Sequence, residues 1–278
     1  MNNGFEGFYF KHQADGMTLA LIPGRSRREA FIQVVTNDRA YYLPYAPDAY
    51  GMDGVMRVGD SRFSADGIQL NIADRGLTLN GSVRYHGLTP IRGDIMGPFR
   101  FFPMECRHTV VSMRHRLEGA LVMNGRTLDF TGGTGYIEGD SGRSFPSSYT
   151  WAQCNSWADG DSDSSVMVSA ARIPFMGLRF WGCIAVVWHK AREYRLATYR
   201  GARILERSPR RLAIGQGGMR LTVEVPEHAG HGLRAPDGGD MRRTIHESPD
   251  MRARLVFSRN GAVVFDRVSD HASYEYVQ

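Results

Sequence analysis

The sequence predicts an all-β protein made of two antiparallel β units. Three observations carry this reading: turn signals recur at hairpin spacing, no window of about twelve residues shows helical periodicity, and 32 glycines and 12 prolines interrupt the remaining helical candidates.

Taken in order, the chain opens on Glu6-Gly7-Phe8-Tyr9-Phe10, an aromatic strand carrying an acid. Phe8 and Phe10 share a face by the side-chain period of two and read first as core, and Glu6, if buried, needs a partner such as arginine. Turns are predicted at Ala14-Asp15-Gly16, Ala65-Asp66-Gly67, Asp74-Arg75-Gly76, Asn80-Gly81, Asn124-Gly125, Pro236-Asp237-Gly238-Gly239 and Asn260-Gly261. Leu77 to Val83 and Leu121 to Leu128 are the clearest hairpins, because Asn-Gly supplies the positive φ angles of a two-residue turn. Leu43 to Asp53 and Gly87 to Pro103 read as irregular segments whose aromatics either plug a barrel end or cover a cavity. Arg107 to Arg116 reads as a strand with polar groups on both faces and Arg107, Thr109, Val111, Met113 and His115 on one of them; it is either a surface strand with salt bridges or a cavity wall where Arg107 or His115 would orient a ligand or share a proton with Glu138. Pro226 to Glu247 is expected to be an exposed hairpin.

At the midpoint, Thr131 to Pro146 and Trp151 to Trp157 read as strand, turn and strand. Tyr136, Glu138 and Asp140 then share one face, and Tyr149, Trp151, Gln153 and Asn155 share a face of the next strand. Acids and amides interleaved with large aromatics predict a wall that meets something besides core. Gly, Ser and Pro cluster between Gly142 and Tyr149, which sets the expected division into units 1–145 and 146–278.

Composition excludes several classes. No apolar run with a basic flank lies in the first thirty residues, and Cys183 to Trp188 is the longest wholly apolar run, so neither a signal peptide nor an integral membrane segment is expected; transient membrane contact stays open. Cys106, Cys154 and Cys183 lack C-x-x-C spacing, which argues against a disulfide scaffold or zinc site and fits a reducing cytoplasm. The net charge of +5 is spread over scattered arginines, with Lys11 and Lys190 the only lysines, and predicts no nucleic-acid partner.

Three motifs read as decoys. Gly139-Asp140-Ser141-Gly142 resembles a trypsin-like nucleophile turn, but Arg143 follows where a second glycine belongs. Asp159-Gly160-Asp161-Ser162-Asp163 starts like a calcium loop yet has Ser164 at the turn position and Ala170 at the twelfth. His228 and His231 have no third ligand near them, so no metal is assigned.

Glu6 to Lys11, Gly97-Pro98-Phe99, Gly135-Tyr136-Ile137-Glu138, Gly142-Arg143-Ser144-Phe145-Pro146 and Trp151-Ala152-Gln153-Cys154-Asn155 together resemble the tocopherol cyclase family and its bacterial relatives. The resemblance implies two lipocalin-like, calycin-related units, each a β-barrel or strongly bent sheet. It also implies acid-catalysed intramolecular cyclisation of a prenylated phenol or similar isoprenoid in an apolar cavity, with no redox cofactor and no metal. Such chemistry needs an acid held protonated near neutrality, which an apolar site can supply by desolvation. Motif position and side-chain chemistry make Glu138 the first candidate, Asp140 the second and His115 a third. Phe8, Tyr149 and Trp151 would offer aromatic faces to a cation, Tyr136 would contact the substrate, and Arg107, Gln153 and Asn155 would hold a polar head group. Ser141 departs from the family, which often has tryptophan there, and this weakens the case for the same substrate. The alternatives are a carrier that binds an apolar small molecule without chemistry, and a carbohydrate-related or structural β protein.

Overall fold

The computed structural model describes residues 4–175, 177–226 and 230–278, and apart from three single turns of 3-10 helix its regular elements are all strands. They form two sheets, of 12 and 10 strands, and the pairings are antiparallel. Backbone contacts divide the chain into a first unit of Met1–Pro90, His108–Ser144 and Leu233–Thr244, and a second of Ile91–Arg107, Phe145–Gly232 and Ile245–Gln278.

In the first sheet the order runs from Ala40–Tyr45 through Ala30–Thr36, Met17–Arg25 and Phe5–Ala14 to Thr134–Gly142. It continues through Cys106–Met123, Leu77–His86 and Gly67–Asp74 to the short strands ending at Tyr50–Met52. The sheet is not flat. Phe10 and Phe63 lie on strands five positions apart, roughly 24 Å in a flat sheet, yet their ring centroids are 5.6 Å apart. One face of the sheet therefore curls onto itself and encloses a core of Phe10, Leu21, Ile32, Leu70, Leu117 and Ile137, among others. The second sheet behaves alike: Tyr194 and Phe257, again five strands apart, have ring centroids 5.1 Å apart over a core containing Ala152, Val166, Val168 and Tyr274. Both sheets have an open strand order, so the architecture is two strongly bent sheets rather than closed barrels.

Most of the sequence-predicted turns form. Asp15-Gly16, Arg75-Gly76, Asn124-Gly125 and Asn260-Gly261 all take positive φ, the left-handed pair that a two-residue hairpin requires. Asn80-Gly81 does not turn. It lies inside the continuous Leu77–His86 strand, where a Cβ on Gly81 would sit 2.5 Å from the Ala120 carbonyl oxygen. The glycine there permits close approach of two backbones rather than chain reversal. Pro226 to Glu247 also differs from expectation, since Leu233, Ala235, Met241 and Ile245 are buried. The Gln33 side chain holds both backbone groups of Arg234, with Nε2 donating to its carbonyl at 3.0 Å and Oε1 accepting from its N–H at 2.8 Å. Within the second unit, Arg195 donates to the carbonyls of Asp94 at 2.9 Å and Arg92 at 2.8 Å, which orders the irregular Ile91–Arg107 segment.

The central strands are buried on both faces. In the first unit Ile137 and Phe10 point into the core, while Tyr9, Lys11, Tyr136 and Glu138 are buried on the reverse face. In the second, Ala152 and Cys154 point into the core, while Tyr149, Trp151, Gln153 and Glu275 are buried on the reverse face. Each unit thus carries an apolar face and a polar, aromatic one.

Candidate functional site

Thr134–Gly142 lies between Phe5–Ala14 and Cys106–Met123, so its side chains have neighbours on both sides. Antiparallel register sets Lys11 opposite Tyr136, Tyr9 opposite Glu138 and Gly7 opposite Asp140. From the third strand comes His108, which shares this face because it differs in parity from Arg107 and Val111.

His108 lies between two carboxylates. Its Nε2 is 3.2 Å from Glu138 Oε2 and its Nδ1 is 3.0 Å from Asp140 Oδ1. The Asp140 contact is a hydrogen bond, whereas the Glu138 contact is an ion pair lying off the ideal N–H direction. The Tyr136 hydroxyl donates to the same Glu138 oxygen. The His108, Glu138 and Asp140 side chains are 11%, 6% and 25% exposed. Desolvation is the largest influence on His108 and lowers its pKa, but the Glu138 and Asp140 charges, with the Asp140 hydrogen bond, together outweigh it and hold the pKa well above the ordinary 6.5. Burial, reinforced by the Glu138 charge, raises the Tyr136 phenol well above its ordinary 10.0. The resulting cluster is an imidazole whose protonated form is favoured by the two carboxyl groups beside it, with the Tyr136 phenol donating to one of them.

His108, Glu138 and Asp140 also place one ligand atom each within 4.8 Å of one another, as a metal site would. A metal would need a lone pair on the His108 ring, whereas a protonated ring would donate from both nitrogens and itself supply the positive charge between the two carboxyl groups.

The opposite face of the same sheet holds a second imidazole group. His12 Nε2 is 2.6 Å from the Tyr85 hydroxyl, and the Tyr85 ring centroid is 4.4 Å from that of His115. His115 Nδ1 meets Ser112 Oγ at 3.1 Å. Burial pulls the His12 pKa down to about 4; burial and the neighbouring His12 pull His115 down to about 3. Gly135 makes room for this ring, since a Cβ there would lie 2.2 Å from His115 Nε2.

The expected site residues therefore separate. Tyr136, Glu138 and Asp140 come together with His108. His115 faces the core, so it is not the proton partner of Glu138. Phe8 is also on the core side of its strand, over Gly139, where a Cβ would come within 2.8 Å of its ring. Arg107 is exposed, with Nη2 3.3 Å from the Phe102 carbonyl oxygen. Tyr149, Trp151 and Gln153 line the reverse face of the second sheet and Asn155 follows them, buried. There the Tyr149 hydroxyl donates to Glu275 at 2.7 Å, and Glu247 lies directly across the strand pair from Glu275. His228 lies outside the described residues, and the Asp159–Asp163 turn is tied to Arg267, at 2.9 Å from Asp159 and 3.0 Å from Asp161. Sequence reasoning missed His108, Glu247 and Glu275; the parity of His108 was the readable signal for the first.

No protein-family model matches the chain. No curated protein matches it either. Solved structures do. CghA in complex with Sch210972 is 12% identical with a TM-score of 0.61, over 98% of this chain and 88% of that one. Kievitone hydratase from Nectria haematococca is 12% identical with a TM-score of 0.58, over 99% and 89%. An AttH-type protein from Nitrosomonas europaea is 12% identical with a TM-score of 0.55, over 99% and 93%. At these identities the likeness establishes that the chain has the two-unit β fold of a hydratase and of a protein that binds Sch210972.

Proposed function

We propose that the chain is a tocopherol cyclase-like enzyme that cyclises a hydrophobic, isoprenoid-bearing small molecule by proton transfer from the His108–Glu138–Asp140–Tyr136 cluster. The observation that carries the reading is the His108 ring set between the Glu138 and Asp140 carboxyl groups away from solvent, because acid catalysis needs a proton held out of bulk water at neutral pH. In this reading His108 stores the proton and Glu138 passes it to the substrate. Protonation of a substrate double bond leaves a carbocation, which an internal phenol oxygen captures as the ring closes. The phenol proton then returns to the cluster, so the reaction is an isomerisation without net change in protons or electrons. Tyr9, opposite Glu138, and Tyr136 are the nearest aromatic faces for the cation. Tyr149, Trp151, Gln153 and Asn155 form a second proposed ligand-contacting wall in the other unit. The hydratase among the solved structures of this fold supports proton-driven chemistry on such a scaffold.

The test is incubation of the protein with a prenylated hydroquinone in deuterated water, with mass spectrometry of the product. The expected result is a chromanol carrying one deuterium at the protonated carbon, with turnover lost in His108→Ala and Glu138→Gln. Retention of unchanged prenylated phenol through gel filtration, without product, would replace the enzyme reading with that of a carrier.

A further inference from the structure

Three of the large hydrophobic side chains exposed among the described residues belong to one end of the second unit: Phe101 at 75%, Leu178 at 75% and Phe102 at 42%. They are continuous with one another. Phe102 packs edge-on against Phe175 at 5.4 Å, and Phe175 pairs with Leu178 across the Ser164–Phe175/Leu178–His189 hairpin, whereas Trp181, three rungs further along opposite Arg172, faces the other side of that hairpin and meets Arg207. Beneath them Phe99 contacts Phe175 at 5.6 Å, Phe180 at 6.1 Å and Tyr199 at 6.5 Å, so a base of packed rings props the exposed ones outward.

The charge around this patch is one-sided. Residues 97–107, 172–181 and 198–200 contain Arg100, Arg107, Arg172, Arg179 and Arg200 against a single acid, Glu105. All five arginines are exposed. Arg100 lies 4.5 Å over the Phe101 ring, Arg107 reaches the Phe102 carbonyl, and Arg200 lies 5.9 Å from the Tyr199 ring centroid, so the charges ride beside the apolar surface. Exposed Phe and Leu with an arginine collar match the boundary between headgroups and acyl chains of an anionic bilayer: rings and leucine enter the acyl edge while guanidinium groups meet phosphates. A protein partner would meet the same apolar area, but it gives no reason for an almost acid-free collar.

We infer that this end of the second unit docks on anionic lipid surfaces and brings the protein to the phase in which apolar molecules are dissolved. The test is co-sedimentation of the full-length protein with phosphatidylcholine vesicles, with and without phosphatidylglycerol. Binding is expected on the anionic vesicles, weakened by raised salt because the arginine contribution is screened beyond the Debye length. The double variant Phe101→Ser/Leu178→Ser should bind roughly tenfold or more weakly, with an unchanged thermal melt because both side chains are already in water. No binding of the native protein to anionic vesicles, or equal binding of the variant, would overturn the inference. A concentration-dependent dimer that the same variant disperses, without vesicle binding, would instead make the patch a contact between copies of the chain.

Discussion

The first unit buries imidazoles on both faces of one sheet, and their pKa values shift in opposite directions. His108 meets Glu138 and Asp140, and its pKa rises; His12 and His115 meet Tyr85, Ser112 and each other, and theirs fall. Desolvation is the largest influence in each case and lowers the pKa in each, so burial does not distinguish them. The carboxylates do. A buried histidine becomes a proton store only where the fold also buries compensating negative charge.

Removing that charge should have the largest effect. Glu138→Gln and His108→Ala are each expected to lower turnover by ~10²–10⁴-fold, the usual contribution of a positioned acid, while circular dichroism shows the sheets intact. Near-native rates from either variant would detach the cluster from catalysis.

The pH dependence of stability separates the two faces by sign. His12 titrates at about 4 in the fold against 6.5 ordinarily, so the stability held by its neutral ring is complete above pH 6.5 and drains away as the pH falls toward 4. The full loss is on the order of 3 kcal/mol. His108 works the other way: its contribution is complete below pH 6.5 and is lost as the pH rises through its elevated folded value. Urea unfolding at a series of pH values should show a shallower acid limb in His12→Gln and a shallower alkaline limb in His108→Gln. Identical limbs in both variants would contradict the assignment of faces.

Tyr136→Phe removes the phenol that donates to Glu138 and should cost about 2 kcal/mol, since a buried carboxylate then loses a donor. Denaturant midpoints measure this directly; no change would mean that the Tyr136 hydroxyl does not support Glu138. Asp140→Asn should have the smallest effect, because Asp140 is the most exposed of the three cluster members around His108. Its expected signature is a lower His108 pKa with less than about tenfold loss of turnover.

Much of the fold was legible because hairpin chemistry is local. Asp15-Gly16, Asn124-Gly125 and Asn260-Gly261 take the left-handed φ angles their residue types favour. Asn80-Gly81 shows the limit, since its glycine serves a neighbouring strand, and a dipeptide cannot report a neighbour that is distant in sequence. The same limit shaped the site. Period-two alternation grouped Tyr136, Glu138 and Asp140 correctly, because they share one strand. Partnership with His108 depends on strand order in the sheet, which joins residues about thirty positions apart. His115 was drawn to Glu138 by chemistry alone, and parity places it on the other face. Phe8 illustrates the converse: its strand lies beside Glu138, yet its ring faces the core.

The most direct measurement is nitrogen-15 NMR of the His108 side chain in the intact protein across pH 6 to 9. The account predicts that both ring nitrogens stay protonated through neutrality, with the imidazolium pattern lost only well above pH 6.5, while His12 and His115 remain neutral throughout. A neutral His108 at pH 7 would contradict the central claim and leave the cluster without the proton that cyclisation requires.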